Sequence, residues 1–274
     1  MTRRLAPCRV ACIARSAATE ENITLKQIIS IHSYRGGTGK SNFTANLAAC
    51  LAARGKRVAV VDTDIQSPGI HMLFGLEDTS ERRTLNDYLW ERCRVGETAV
   101  DVTPERIEEA GGRIWLVPSS LHAAEIAKVL REGYNVGLMN DGLQDLIDEF
   151  VLDYLLIDTH PGLNEETLLS IAIADVLVVL LRPDRQDFQG TAVTVEVARK
   201  LEVRQLVMVL NKVMPSVIAR GFVEEVTRAY GAPVIGILPE APEMLELGSR
   251  GLFTLQFPDH PLSAEIRQAA ARLA

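Results

Sequence analysis

From Gln27 onward, short apolar runs recur along the chain, separated by longer stretches of mixed polarity. The runs fall at 27–32, 57–62, 113–117, 153–158, 176–181, 205–210 and 234–238. They are nearly continuous rather than alternating, the pattern of strands covered on both faces. With helical spacers between them they predict an α/β fold: a doubly wound, mainly parallel sheet of about seven or eight strands, with helices on both sides. After the first run, Phe43, Leu47, Cys50 and Leu51 form the stripe of a half-buried helix. Residues 76–112 and 119–150 carry mixed charge and read as helical or irregular insertions. At the end of the chain, Leu262, Ile266, Ala269, Ala270 and Leu273 share one helical stripe. It is mostly alanine, and Glu265 offsets Arg267 and Arg272. That predicts a helix packed on its own domain, not a membrane-targeting one.

At 274 residues and 47% hydrophobic, the chain can bury one sizeable core, so 27–274 reads as a single domain. Residues 1–26 differ, with five Lys/Arg against two acids. Arg9 and Arg15 break the apolar stretch of about 7–15 residues that an export signal needs. A disordered basic extension is the expectation there; a surface anchor or an upstream misassigned start codon are the alternatives. The net charge of −7 argues against a polyanion trap acting through overall charge. Residues 190–274 are neutral overall, which leaves −10 for the middle and does not exclude a local basic patch. The run Val176–Leu181 is far too short to span a bilayer. Cysteines 8, 12, 50 and 93 form no C-x-x-C pair, which fits free thiols in a reducing cytoplasm.

The candidate chemistry begins where the first apolar run ends. Arg35-Gly36-Gly37-Thr38-Gly39-Lys40-Ser41-Asn42 follows a strand and opens a helix. That order wraps backbone N–H groups around a di- or triphosphate, with glycines that let the backbone approach the anion. Lys40 would reach the terminal phosphates and the Ser41 hydroxyl would ligate Mg²⁺. The usual first glycine of such loops is replaced by Tyr34. The second apolar run ends in Asp62-Thr63-Asp64 and the fourth in Asp158-Thr159-His160-Pro161-Gly162. Carboxylates at the carboxyl ends of parallel strands face the phosphate crevice of a doubly wound sheet. The sixth run ends in Asn211-Lys212, but Met214 stands where a guanine-reading aspartate would be. Adenine is therefore the favoured base, with the Asn211 amide on its edge.

The loop from Arg35 to Ser41 resembles the deviant phosphate loop K-G-G-x-G-K-[ST] of the MinD/ParA ATPases, which are P-loop NTPases of the SIMIBI type. The resemblance covers about residues 27–260, and Pro118-Ser119-Ser120 adds to it. It implies ATP and Mg²⁺ as cofactors and a homodimer bridged by ATP. In that family a lysine at the position of Arg35 crosses the dimer interface to the partner's phosphates. Arginine, always charged and fork-shaped, suits phosphate oxygens. The alternative is that Arg35 only caps the loop locally or sits in solvent. By the same resemblance Asp62 holds a water of the Mg²⁺ shell, and Asp64 orients the attacking water and accepts its proton. Asp158 is the Mg²⁺-side carboxylate, Gly162 a hinge, and Pro239 a backbone packed on adenine. His160 is a weaker candidate base, because Asp64 already fills that role. Asn164 replaces a glutamate common in division-site members, and the alanine-rich stripe at 262–273 leads us to expect no counterpart of their C-terminal lipid anchor.

The function this implies is a slow switch ATPase that positions or partitions a cargo: a chromosome or plasmid, a division-site regulator, a flagellum or a large assembly. It would cycle on a nucleoid or inner-membrane surface, through non-specific DNA or lipid contacts, with an activating protein partner. An iron–sulfur or anion carrier of the Mrp/ArsA type would want paired cysteines. A nucleotide-binding scaffold with little hydrolysis, and a ligase on a related fold, are further rivals.

Overall fold

A computed structural model of the chain describes residues 26–77, 79, 81–218 and 221–274. Apart from Lys26, the extension read at 1–26 lies outside the described residues, as do Cys8 and Cys12. Eight strands form one sheet: β1 (Gln27–His32), β2 (Arg57–Asp62), β3 (Val100–Asp101), β4 (Arg113–Val117), β5 (Tyr154–Asp158), β6 (Val176–Leu181), β7 (Gln205–Val213) and β8 (Val234–Pro239). The first helices are α1 (Lys40–Ala52), α2 (Ile70–Leu73), α3 (Leu85–Leu89), α4 (Glu105–Glu109), α5 (Ala123–Glu132), α6 (Val136–Glu149) and α7 (Glu165–Ala172). They are followed by α8 (Arg185–Lys200), α9 (Pro215–Ile218), α10 (Phe222–Tyr230), α11 (Pro242–Leu247), α12 (Phe253–Gln256) and α13 (Pro261–Leu273). The spatial order is β3-β4-β2-β5-β1-β6-β7-β8. Every neighbouring pair is parallel except β3 with β4.

The period of two along each strand divides the core. Ile29 and Ile31 of β1 join Val58, Val60, Leu156, Val178 and Val207 on one face, under α1 and α13. There Phe43, Leu47 and Leu51 meet Leu262, Ile266 and Leu273, so the alanine-rich stripe of the last helix does pack on its own domain. On the other face, Ile28, Val61, Leu155 and Ile157 pack against Leu143, Leu146 and Ile147 of α6. Leu177, Val179 and Met208 meet Val195 of α8 and Val226 of α10. Strands sandwiched this way are apolar on both sides, which is why they read as continuous runs.

Three details differ from the sequence expectation. The two-residue β3 is half-exposed and carries no apolar run, so it left no signal. Within the stretch read as insertion, α6 is one of the covering helices of the sheet. Its moderate apolar stripe is diluted by Asn140, Asp141, Gln144 and Asp145 on the outer side. Finally, β7 runs on through Asn211 and Lys212 to Val213 over a register shift, with Lys212 at φ +56°.

The carboxyl end of α1 is wedged against the turn into β4. A methyl group on Gly112 would overlap the carbonyl carbon and oxygen of Ala52. Backbone atoms cannot swing aside as a side chain can. Gly112→Ala is therefore expected to lower stability by about 2–3 kcal/mol, the upper part of the overpacking range. Urea denaturation would measure it, and an unchanged midpoint would show that α1 is not held at this contact.

Candidate functional site

The chain reverses its spread across the sheet at β1, which lies between β5 and β6. The crevice beyond the carboxyl ends of such strands is where open α/β sheets bind ligands. The glycine-rich segment leaves β1 at this point. Gly39 sits at the start of α1 with φ +94°, and a side chain there would also meet the Asn211 amide. Ser33 Oγ donates to Arg35 O at 2.7 Å and Thr38 Oγ1 to Ser33 Oγ at 2.8 Å. From outside, Asn211 Nδ2 donates to Thr38 O at 2.7 Å and Lys212 Nζ to Gly37 O at 3.2 Å. The loop's carbonyls are thus drawn toward β7. Among the described residues, none of the N–H groups of Gly36 through Ser41 finds an acceptor. A run of unpaired amides at a helix start is an anion-binding nest.

Lys40 begins α1 and is 7% exposed. Burial lowers its pKa, while Asp158 and Asp64 pull it back up. Among the described residues no ion pair engages it, so Lys40 stands beside the nest without a close partner, and burial works against its charge.

Asp62 and Asp158 are register partners on β2 and β5, which brings two buried carboxylates together. Burial drives Asp62 well above the ordinary carboxylate range, and repulsion from Asp158 and Asp64 adds to it. Asp62 Oδ1 accepts from Asp64 N at 3.0 Å, but Oδ2 is buried with no partner among the described residues. Asp158 is pushed up to about 6 by burial, against the opposing pull of the Ser41 hydroxyl and of Lys40. Thr44 Oγ1 lies 3.3 Å from Asp158 Oδ1, a contact no motif signalled. Two carboxylates and a hydroxyl with one orphaned oxygen make an all-oxygen set that fits Mg²⁺, which keeps several waters and takes one or two carboxylates. Ser41, Asp62 and Asp158 would hold the ion, which would neutralise phosphate charge.

Asp64 stands two residues beyond β2, and its Oδ1 meets His160 Nδ1 at 2.6 Å. Gly162, with φ +85°, ties its N–H to Ser33 O at 3.3 Å. Asn164 caps α7, its side chain accepting from Thr167 N at 2.8 Å. That accounts locally for an asparagine at the position.

Arg35 turns back on its own chain. Nη1 donates to Gln186 Oε1 and lies 3.8 Å from Asp187 and 4.0 Å from Asp184. These residues start α8, where Asp184 caps the helix and Arg182 pairs with the buried Asp187 through Nε at 2.9 Å. The acceptors follow the carboxyl end of β6, a strand-end position that could have drawn attention to them in the sequence.

Beside the loop a cleft of about 420 Å³ is lined by Gly37, Gly39, Asn42, Asn211, Lys212 and Pro239, among others. It joins the residues expected at the phosphates to those expected at the base. Asn211 Oδ1 accepts from Lys212 N, which with the bond to Thr38 leaves one amide hydrogen for a base edge. Lys212 was visible in the sequence beside Asn211, but nothing there revealed its bond to the loop.

A nest of this kind at the switch point of a parallel sheet defines a P-loop nucleotide-binding protein. Comparison with known proteins narrows the class. The family model for ParA, described as NUBPL iron-transfer P-loop NTPase, matches residues 24–274. An uncharacterized ATP-binding protein of Methanocaldococcus jannaschii is 29% identical over 253 residues, covering 92% of this chain and 89% of its own. A putative septum site-determining protein MinD of Nephroselmis olivacea is 30% identical over 236 residues, covering 82% and 78%. The MinD cell division protein of Aquifex aeolicus superposes with a TM-score of 0.75 at 24% identity, over 90% of this chain and 96% of that one. The chain belongs to the MinD/ParA family of P-loop ATPases.

Proposed function

We propose that the protein is a Mg²⁺-ATP-dependent switch ATPase that closes into a dimer around ATP and is released by slow hydrolysis. The observation that carries this is the amide nest, unpaired among the described residues, beside a buried Lys40 that no ion pair engages there, facing the Asp62–Asp158 pair. The nest and Lys40 take the phosphates, the acidic pair and Ser41 take Mg²⁺, and the cleft over Asn211 and Pro239 takes adenine. Asp64 orients the attacking water. The cargo is one that such switches position or partition: DNA, a division-site regulator or a large assembly. Among the described residues no helix is long and apolar enough to cross a membrane.

Arg35 is the residue through which the subunits would sense each other's nucleotide. Its own side chain and Asp184 are half-exposed, exposed pairs are worth about 0–1 kcal/mol, and the buried Asp187 keeps its closer bond to Arg182 when Arg35 leaves, so letting go is cheap. A charge-assisted bond to a phosphate in the partner subunit is worth about 1.5–3 kcal/mol. Arg35→Ala is therefore expected to weaken the ATP-induced dimer by about tenfold to a hundredfold, read by size exclusion with light scattering. An unchanged dimer fraction would remove the role in trans.

The family description as an iron-transfer NTPase favours a second reading, a metal carrier. Cys50 is poorly placed for it: it lies in the core with Leu47 and Leu51, and burial pushes its thiol up to about 11. Iron binding by the purified protein, measured with and without ATP, separates the two readings.

A further inference from the structure

We propose that His160 is a positioning residue for hydrolysis, holding Asp64 by one carboxylate oxygen so that the other is kept for the attacking water. The proposal rests on the role of Asp64 given above. Asp62 and Asp158 are register partners, so Asp64 and His160 leave adjacent strands by the same count of two residues. His160 Nδ1 lies 2.6 Å from Asp64 Oδ1. The same oxygen accepts from Ser67 Oγ at 3.1 Å and from Ser67 N at 3.2 Å. All of these contacts fall on Oδ1; among the described residues Oδ2 makes none. An ionised carboxylate only accepts, so the bond requires a hydrogen on Nδ1.

The imidazole is itself held relative to the nucleotide loop. Pro161 follows it with a restricted φ, and Gly162 N then bonds Ser33 O at the start of the loop. Ser67, by contrast, is exposed, so of the two anchors His160 is the one fixed by the fold. In the step it serves, the water oxygen bonds the γ-phosphorus and the bond to the bridging oxygen of ADP breaks. ADP leaves with that electron pair, and one water proton passes to Asp64 Oδ2. A carboxylate free to turn would present that oxygen only part of the time. Misplacement of a catalytic group on this scale lowers rates by up to about a hundredfold.

The test compares ATP turnover, KM and the ATP-dependent dimer in His160→Ala, His160→Asn, Asp64→Ala and the Asp64→Ala/His160→Ala double variant. His160→Ala should lose about tenfold to a hundredfold in kcat, with KM and dimer fraction unchanged. His160→Asn, whose amide can donate from near the place of Nδ1, should recover most of that loss. The double variant should be no slower than Asp64→Ala alone. A His160→Ala protein with wild-type kcat overturns the proposal. So does a loss that His160→Asn does not rescue, or one that comes with a lost dimer or a raised KM. If Asp64→Ala is inactive while His160→Ala is fully active, only the positioning role falls; if Asp64→Ala turns over normally, the assignment of Asp64 falls with it.

Discussion

Replacing Asp64 by alanine is expected to cut ATP hydrolysis by about two to four orders of magnitude while leaving ATP bound. That is the usual contribution of a positioned general base. The residue stands at the rim of the site, 15% exposed, outside the buried pair that would take Mg²⁺. It makes no bond to the glycine loop, so its loss should not open the nest. Binding and turnover should therefore separate: a fluorescent ATP analogue should bind with wild-type affinity while phosphate release falls away. Normal phosphate release would show that some other group directs the water.

Lys40→Met should have the opposite signature, with nucleotide affinity lost at little cost to the fold. The ammonium would make bonds to two phosphate oxygens, each a charge-assisted contact worth about 1.5–3 kcal/mol. Affinity should then fall by about two to four orders of magnitude. In the absence of nucleotide, burial already disfavours the charged lysine, as its lowered pKa records. An apolar side chain of similar length removes that penalty. The variant is expected to melt no lower than wild type without ATP, and to lose the rise in melting temperature that ATP gives the wild type. Calorimetric titration with Mg-ATP and thermal unfolding with and without it check both halves. Wild-type affinity would mean that Lys40 does not reach the phosphates.

Much of the sheet was legible because its strands are sandwiched between helices. Seven of them announced themselves as apolar runs, and the glycine loop fell at the end of the central one. The antiparallel β3 did not, since two half-exposed residues carry no pattern. The acidic pair was legible as two strand ends. Its closeness was not, because it depends on β2 and β5 being neighbours in register. Lys212 and Gln186 escaped for a similar reason. Their bonds to the loop and to Arg35 span 175 and 151 residues of chain, and no local spacing encodes them. His160 was visible but discounted beside Asp64; the structure joins the two as partners instead of rivals.

These conflicts with ordinary packing are concentrated in one place. A buried lysine, two facing carboxylates with raised pKa values and a row of amides unpaired among the described residues all lie at the carboxyl ends of β1, β2 and β5. Local costs of this kind gather where a protein binds and reacts. Phosphates would satisfy the amides and the lysine, and Mg²⁺ the carboxylates.

The central claim is that ATP both fills this site and joins two chains. Light scattering on the Asp64→Ala protein tests it most directly, because ATP there should persist unhydrolysed. With Mg-ATP the expected mass is that of two chains, and with Mg-ADP that of one. A single-chain mass with ATP demonstrably bound would contradict it.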